Sequence, residues 1–331
     1  MICDESKPVV AIVIPAFDAE ATITETLESV RAQSWPALDI VVVDDGSSDR
    51  TTDLVEQQAR EDGRIRLIRQ ENGGVAAARN RGAQSSNAPF IAFLDADDVW
   101  AREKIAAQMA LVQDDEGNPQ LVYCWFAQID RHSTVYPVGN QRIIEGDVLE
   151  EISRSNFVGN GSSLLVPREI FDRIGGFDAG LRENDAQGCE DLLFLALASR
   201  HYRFRVVPRH LLGYRLSHGS MSASVDRMLR SFDFVAERII ALEGGTAAAW
   251  AAHRKDLIRW LAGRAAMGGR VGIALNILGR MGPGSVGDIV SSIPELARTY
   301  FRAVVVPGWL KRASRSARIM RRRPRYLDID W

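Results

Sequence analysis

The chain has 331 residues, 46% hydrophobic and 25% charged, which is enough to bury a sizeable core and too apolar for intrinsic disorder. Its 41 basic and 43 acidic residues leave a formal net charge of -2, so the body offers no broad cationic face for nucleic acid. The three cysteines, Cys3, Cys124 and Cys189, are widely spaced and form no CxxC pair, which argues against a disulfide framework and against a zinc site.

The opening "MICDESKPVV" carries two acids and no basic stretch ahead of an apolar one, so it reads as lacking a secretory leader. No apolar run is long enough to read as a membrane span. A reducing cytoplasm is the expected location. From residue 9 onward, short β-branched runs alternate with helical periods. "VVAIVIP" (9–15), "DIVVVDD" (39–45), "RIRLIRQ" (64–70) and "PFIAFLD" (89–95) predict strands, and "AEATITETLESVRAQ", "DRTTDLVEQQAR" and "GVAAARNRGAQSS" predict the helices between them. Consecutive Val and Ile suit strands covered on both faces, so this half predicts a doubly wound α/β unit with a mostly parallel sheet.

In such sheets ligands gather beyond the carboxyl ends of the strands. Polar signals fall there four times: Pro15 to Asp18, Asp44 to Asp49, Asn72 to Gly74, and Asp95 to Asp98. Further along, "LVYCWFAQID" (121–130) predicts a strand and "CEDLLFLALASRHY" (189–202) a helix, with "GSSLLVPREIFDRIGGFD" (161–178) between them. Beyond Ser224 the sequence turns rich in Ala, Arg and Leu with Gly breaks near 244, 268 and 282, predicting a helical appendage. Residues 311–325, "KRASRSARIMRRRPR", hold eight basic residues and no acid, whereas residues 1–310 hold 33 basic against 41 acidic, a balance of -8.

The most informative stretch is "FIAFLDADDVW" (90–100), which ends an apolar run with Asp95, Asp97 and Asp98. Strand alternation would put Asp95 and Asp97 on one side and Asp98 on the other. Clustered oxygen ligands favour a hard cation, Mn²⁺ or Mg²⁺, which offsets their repulsion and bridges to phosphate oxygens. With no His or Cys cluster in support, such a cation needs a phosphorylated substrate to complete its shell.

"IVIPAFDAEATITETLESVRAQ", "IVVVDDGSSDRT", "NGGVAAARNRG", "FIAFLDADDVW", "GSSLLVPREIFDRIGGFD" and "CEDLLFLAL", in this order, resemble the nucleotide-sugar transferases of glycosyltransferase family 2 over about residues 8–222. The resemblance implies a GT-A fold, a Rossmann-like, mostly parallel sheet flanked by helices, and an inverting transfer of sugar from a nucleoside diphosphate, UDP first, to a hydroxyl acceptor. Surface polysaccharide or glycolipid synthesis in bacteria is the expected setting. It implies a catalytic domain at 1–224, with a nucleotide-binding half (8–100) and an acceptor half (101–224); residues 225–310 remain as a helical region and 311–331 as a basic tail.

Carried over motif by motif, Asp45 would bond the base with Asp44 beside it, and Pro15, Ala16 and Phe17 would wall the base and ribose pocket. Asn72 and Gly74 would lie against the nucleotide, and Arg79 would meet phosphate or base. In Asp95-Ala96-Asp97 the second acid would hold the metal that chelates the diphosphate, while the first lies near ribose or sugar and gives a further metal contact. Asp98 would support the charge or cap a helix over "WAREKIAAQMALV". Asp191 matches the general base, with Glu190 supporting it. In "YRLSHGSMSAS" Ser217 stands at the family's usual His position, leaving His218 as the candidate metal or phosphate contact. Asn160, Gly161, Gly175, Gly176, Phe177 and Asp178 would line the acceptor side.

Two other functions fit parts of the chain. "FLDADDV" also matches the Asp-x-Asp-x-Val pattern of haloacid-dehalogenase-like phosphatases, and a non-catalytic sugar-nucleotide-binding protein could use the same fold. The basic tail, next to "YFRAVVVPGWL", could give peripheral contact with the cytoplasmic membrane face at roughly 1 kcal/mol per cation.

Overall fold

Uninterrupted Val and Ile runs become the middle of a single sheet. The computed structural model describes residues 7–113, 118–136, 142–216, 224–243, 245–282, 286–300 and 325–329. β1 (Val10–Ala16) is buried along its whole length, and β2 (Leu38–Asp44), β3 (Ile65–Arg69) and β4 (Phe90–Phe93) complete a parallel block in the order β3-β2-β1-β4. The crossovers are α1 (Ile23–Arg31), α2 (Thr51–Glu61) and α3 (Val75–Gln84). α3 lies hard against the sheet because Gly82 has no side chain: a Cβ there would stand 2.4 Å from a Val13 methyl.

After β4 the sheet changes character. β5 (Val99–Trp100) and α4 (Lys104–Gln113) precede β6 (Leu121–Ile129), and α5 (Leu149–Arg154) precedes β7 (Leu165–Pro167) and α6 (Arg168–Ile174). Next come α7 (Glu190–Ser199) and β8 (Phe204–Arg215). The full order is β3-β2-β1-β4-β7-β6-β8-β5, with β7 antiparallel to both β4 and β6, β8 parallel to β6, and β5 antiparallel to β8. The sheet is therefore mixed, with helices on its faces, and the α/β expectation holds with an antiparallel insertion.

The helical region beyond Ser224 is present as α8 (Val225–Ala241), α9 (Ala247–Met267), α10 (Val271–Leu278) and α11 (Val286–Tyr300). Its apolar faces join the core on one side of the sheet, where Phe93, Phe177, Phe194, Phe232, Trp250 and Ile258 belong to one continuous cluster. No described helix is long and apolar enough to cross a membrane.

Two local expectations are corrected. β4 stops at Phe93, and the Asp98 amide donates to the Asp95 carbonyl at 3.0 Å, so Asp95 to Asp98 form a turn to which strand alternation does not apply. Asp98 leads into β5, whereas α4 begins only at Lys104, so Asp98 caps no helix.

Candidate functional site

The carboxyl ends of β1, β2 and β4 meet the loops after α6 and the start of α7, and the acids of the four motifs collect there. Asp45 sits just past β2 and is buried; its amide donates to the Ala16 carbonyl at 2.8 Å. Its carboxylate accepts from Gln70 Nε2 and the Gly73 amide, both at 2.7 Å, and from the Gly74 amide at 2.8 Å. Three of about four lone-pair directions are thus taken, so Asp45 shapes the Asn72 to Gly74 loop and keeps one acceptor direction. Gly74 has φ +88°, and a Cβ there would meet Gln187 at 2.7 Å, which only glycine avoids. Arg182 Nη1 donates to the Asn72 carbonyl at 2.7 Å, tying this loop to the segment that precedes α7. Asp44 is also buried and accepts from the Ser47 amide at 3.2 Å, an Asx-type turn contact.

Pro15 and Ala16 are buried at the carboxyl end of β1, and Ala16 belongs to the core. Phe17, the first residue beyond the strand, is 51% exposed and free to stack.

Arg79 is the hub of the site. Placed on α3 and 4% exposed, it pairs with Asp95 (Nη2 to Oδ1, 2.5 Å) and lies 5.1 Å over the Phe177 ring. Burial works against its charge, yet the nearby carboxylates of Asp95, Asp191 and Glu190 hold its pKa above the ordinary value. The cation therefore joins the Asp95 turn to the start of α7. α7 is apolar almost all round and buried, which carries Glu190 into the interior and leaves Asp191 partly exposed beside it. Burial pushes the Asp191 pKa up to about 6, with Arg79 opposing and Glu190 adding to the rise; Asp191 Oδ1 accepts from the Leu192 amide at 2.7 Å. Glu190 accepts from the Gly188 amide at 3.0 Å, and burial raises its pKa as well.

Asp97 differs from its neighbours. It is partly buried, and among the described residues its carboxylate makes no hydrogen bond or ion pair with another residue, whereas Asp95 is held by Arg79 at its carboxylate and by the hydrogen bond its backbone N–H donates to Ser162 Oγ at 3.0 Å. Burial raises the Asp97 pKa to about 6, Asp95 adds to the rise, and Arg215 and Arg264 oppose it. Ala96 is buried, and its carbonyl accepts from Thr22 Oγ1 (2.8 Å) and Thr26 Oγ1 (2.9 Å), which pin the turn to α1. No described group of three or more His, Cys, Asp or Glu could hold a metal by itself. An unpartnered carboxylate in a polar turn nevertheless suits a hard cation that takes its other ligands from phosphate and water. Asp97 is the open position, Asp95 is half committed to Arg79, and His218, with Ser217, lies outside the described residues.

The acceptor-side residues separate. Asn160 and Gly161 are buried beside Arg79, and a Cβ on Gly161 would stand 3.2 Å from Arg79 Nη2. Asn160 Nδ2 is a buried donor with no partner among the described residues. Gly175 and Gly176, both at positive φ, end α6 and pass Asn80, whose side chain bonds the Phe177 amide and carbonyl at 2.8 and 2.7 Å. Phe177 is 2% exposed and stacked on Phe194, so it is core and lines no acceptor pocket. Asp178 pairs with Arg238 of α8. Residues that the sequence did not single out include Ser162, Arg264 and Arg215. Arg215 lies in "YRLSHGSMSAS", but its identity gives no sign of its partners.

An eight-stranded mixed sheet of this order, with acids at the strand ends, has the architecture of the GT-A fold. Residues 11–183 match the model for glycosyl transferase family 2, and the chain belongs to that family. It is 30% identical over 224 residues to the uncharacterized glycosyltransferase EpsJ of Bacillus subtilis (strain 168), covering 65% of this chain and 63% of EpsJ. The chain spans less than two thirds of the curated relatives EpsJ, EpsH and TuaG of that organism. The mannosyltransferase PcManGT of Pyrobaculum calidifontis, solved with GDP-Man and Mn²⁺, superposes with a TM-score of 0.56 at 19% identity, covering 95% of this chain and 89% of that one. S. aureus TarS 1-349 in complex with UDP gives 0.52 at 17% identity, covering 82% of this chain and 70% of TarS. The family match displaces the phosphatase alternative.

Proposed function

We propose that the chain is an inverting transferase that moves a sugar from a nucleoside diphosphate, UDP in the first instance, to a hydroxyl of a saccharide or lipid-linked acceptor in bacterial surface polysaccharide or glycolipid synthesis. The observation that carries this is the convergence of Asp95, Glu190 and Asp191 on buried Arg79, with the unpartnered carboxylate of Asp97 on the same turn. The nucleotide complexes of PcManGT and TarS support the donor class, and the Mn²⁺ in PcManGT supports a divalent cation.

In this reading Asp191 takes the acceptor hydroxyl's proton while that oxygen attacks the anomeric carbon from the face opposite the diphosphate. The carbon–phosphate oxygen bond breaks, its electron pair leaves with the nucleoside diphosphate, and one displacement inverts the centre. Glu190 and Arg79 fix the electrostatic setting of Asp191. Asp45 holds the Asn72 to Gly74 loop beneath the base, where Phe17 can stack. Asp97, with the free side of Asp95, would hold Mn²⁺ or Mg²⁺, whose bound charge would stabilise the departing diphosphate.

Calorimetry with UDP-, GDP- and dTDP-sugars, with and without Mn²⁺, tests the proposal. Asp97→Ala is expected to lose metal-dependent donor binding, and unchanged affinity and metal dependence in that variant would remove the metal assignment. The rest of the basic tail, 311–324, lies outside the described residues. Peripheral membrane contact through it remains a proposal that predicts salt-sensitive pelleting with phosphatidylglycerol vesicles; no pelleting at low salt would refute it.

A further inference from the structure

The last described residues of the chain return to the site. Tyr326 is fully buried in a small cluster with Val99, Ala127 and Ile129, separate from the two large cores. Its hydroxyl donates to the His210 carbonyl and its amide to the Ser133 carbonyl, both at 2.7 Å. The seat is cut to fit: Gly213 lies inside β8, and a Cβ there would stand 2.9 Å from the Tyr326 ring and 2.8 Å from a Val99 methyl. Glycine inside a strand marks a close approach by another part of the molecule, and here that part is Tyr326. Val99 opposite Gly213 is the pairing of β5 with β8.

Both strands of that pair lead directly to the metal turn. Val99 is two residues beyond Asp97, and Gly213 is two residues before Arg215. Arg215, 2% exposed, donates from its amide to Asp98 Oδ1 (2.8 Å) and from Nε to the Asp97 carbonyl (2.6 Å). Its other nitrogens reach the Asp130 carbonyl (3.0 Å), Ser133 Oγ (3.1 Å) and Glu25 Oε2 (2.8 Å). Glu25 Oε1 in turn accepts from Ser133 Oγ (2.6 Å) and Arg325 Nη2 (2.9 Å). Ser133 adopts φ +60°, a left-handed conformation uncommon for serine, and its hydroxyl sits between the cation and the acid.

We propose that Arg325 and Tyr326 are positioning residues: docked on the face of the β5–β8 pair and tied to Glu25, they fix Arg215, and through it the main chain of Asp97 and Asp98, in the geometry that meets the cation and diphosphate. The mechanical part rests on contacts alone, and its consequence for donor binding rests on the function proposed above. The experiment uses full-length Tyr326→Ala, Tyr326→Phe and Arg325→Ala, and begins with hydrogen exchange on protein free of metal and nucleotide. In Tyr326→Ala the amides of Asp98 and Ala101, bonded to the Asp95 and Leu211 carbonyls, should exchange roughly tenfold faster, while those of Ile12 to Ile14 in β1 do not change. Tyr326→Phe keeps the ring in its seat and should stay near the unmodified rate.

The same Tyr326→Ala and Arg325→Ala proteins should then need roughly 5- to 30-fold more Mn²⁺ and donor for half-saturation, with a smaller change in kcat. Unchanged exchange at Asp98 and Ala101 in Tyr326→Ala overturns the positioning role, whatever the substrate proves to be. If Tyr326→Ala fails to fold, Arg325→Ala decides, because its side chain is largely exposed: an unaltered Mn²⁺ and donor requirement there overturns the proposal. Failure of the unmodified protein to bind any nucleotide-sugar would instead sink the proposed function and leave the exchange result standing.

Discussion

In the proposed role of base, Asp191 faces opposing demands. A base that must accept a proton near neutrality works best with a pKa not far below the working pH, and an ordinary aspartate is too weak. Burial at the head of α7 lifts Asp191 to about 6, while Arg79 keeps it from rising further. At pH 7 it is mostly ionised and able to accept, and below about 6 it becomes protonated and inert. In the proposed mechanism a cation would hold Asp97 ionised at saturating donor and Mn²⁺, so kcat would report Asp191: kcat is expected to fall on the acid side with a midpoint near 6. Asp191→Asn should lower kcat by ~10² to 10⁴ and leave donor affinity nearly unaltered. A flat kcat between pH 5 and about 7, or normal transfer by Asp191→Asn, would take the base role from this residue. Single acids such as Asp45, Asp97 and Asp191 were legible because each ends an apolar run or opens one. What each touches was not legible: that Asp45 spends its lone pairs on Gly73 and Gly74, or that Asp95 belongs to Arg79, depends on loops brought together from distant parts of the chain.

Among the elements, those with one strong local pattern were readable, and those defined by tertiary pairing were not. β1 and β2 follow from runs of Val and Ile, β3 and β4 from short apolar stretches, and α7 from its all-round apolarity. β8 was missed although it is twelve residues long, because Arg205, Pro208, Arg209 and His210 break its apolar run. Its pairing with β6 absorbs the break through register shifts beside Trp125, where Cys124 faces Val207 and Trp125 faces His210. β5 is only two residues long and exists because β8 receives it, so no sequence window could reveal it. The misjudged geometry of "FLDADD" has the same origin: the apolar run ends the strand before the acids, and the turn that follows is held by Thr22, Thr26, Ser162 and Arg215 from other elements.

At the scale of the whole molecule, we propose the division into 1–224, 225–310 and 311–331 as a description of roles, while the packing argues that the first two fold together. α8 and α9 contribute Phe232, Val235, Ile239, Ile258 and Leu261 to the core that holds Phe194 of α7, each at most 3% exposed. Ser231 Oγ accepts from the Cys189 amide at 3.0 Å, immediately ahead of Glu190 and Asp191, so the helical region supports the start of α7 directly. Full burial of a large apolar side chain is worth ~1.5 to 3 kcal/mol, so these five contribute on the order of 10 kcal/mol as an upper value. Net stabilities of domains are about 5 to 15 kcal/mol, which means that losing this face removes a comparable quantity. The full chain is therefore expected to melt in one calorimetric transition, and a chain cut after Ser224 to expose apolar surface that binds a hydrophobic dye and to lose cooperative unfolding. Two well-separated transitions in the full chain, with the shortened chain reproducing one of them, would show instead that the helices are an independent module.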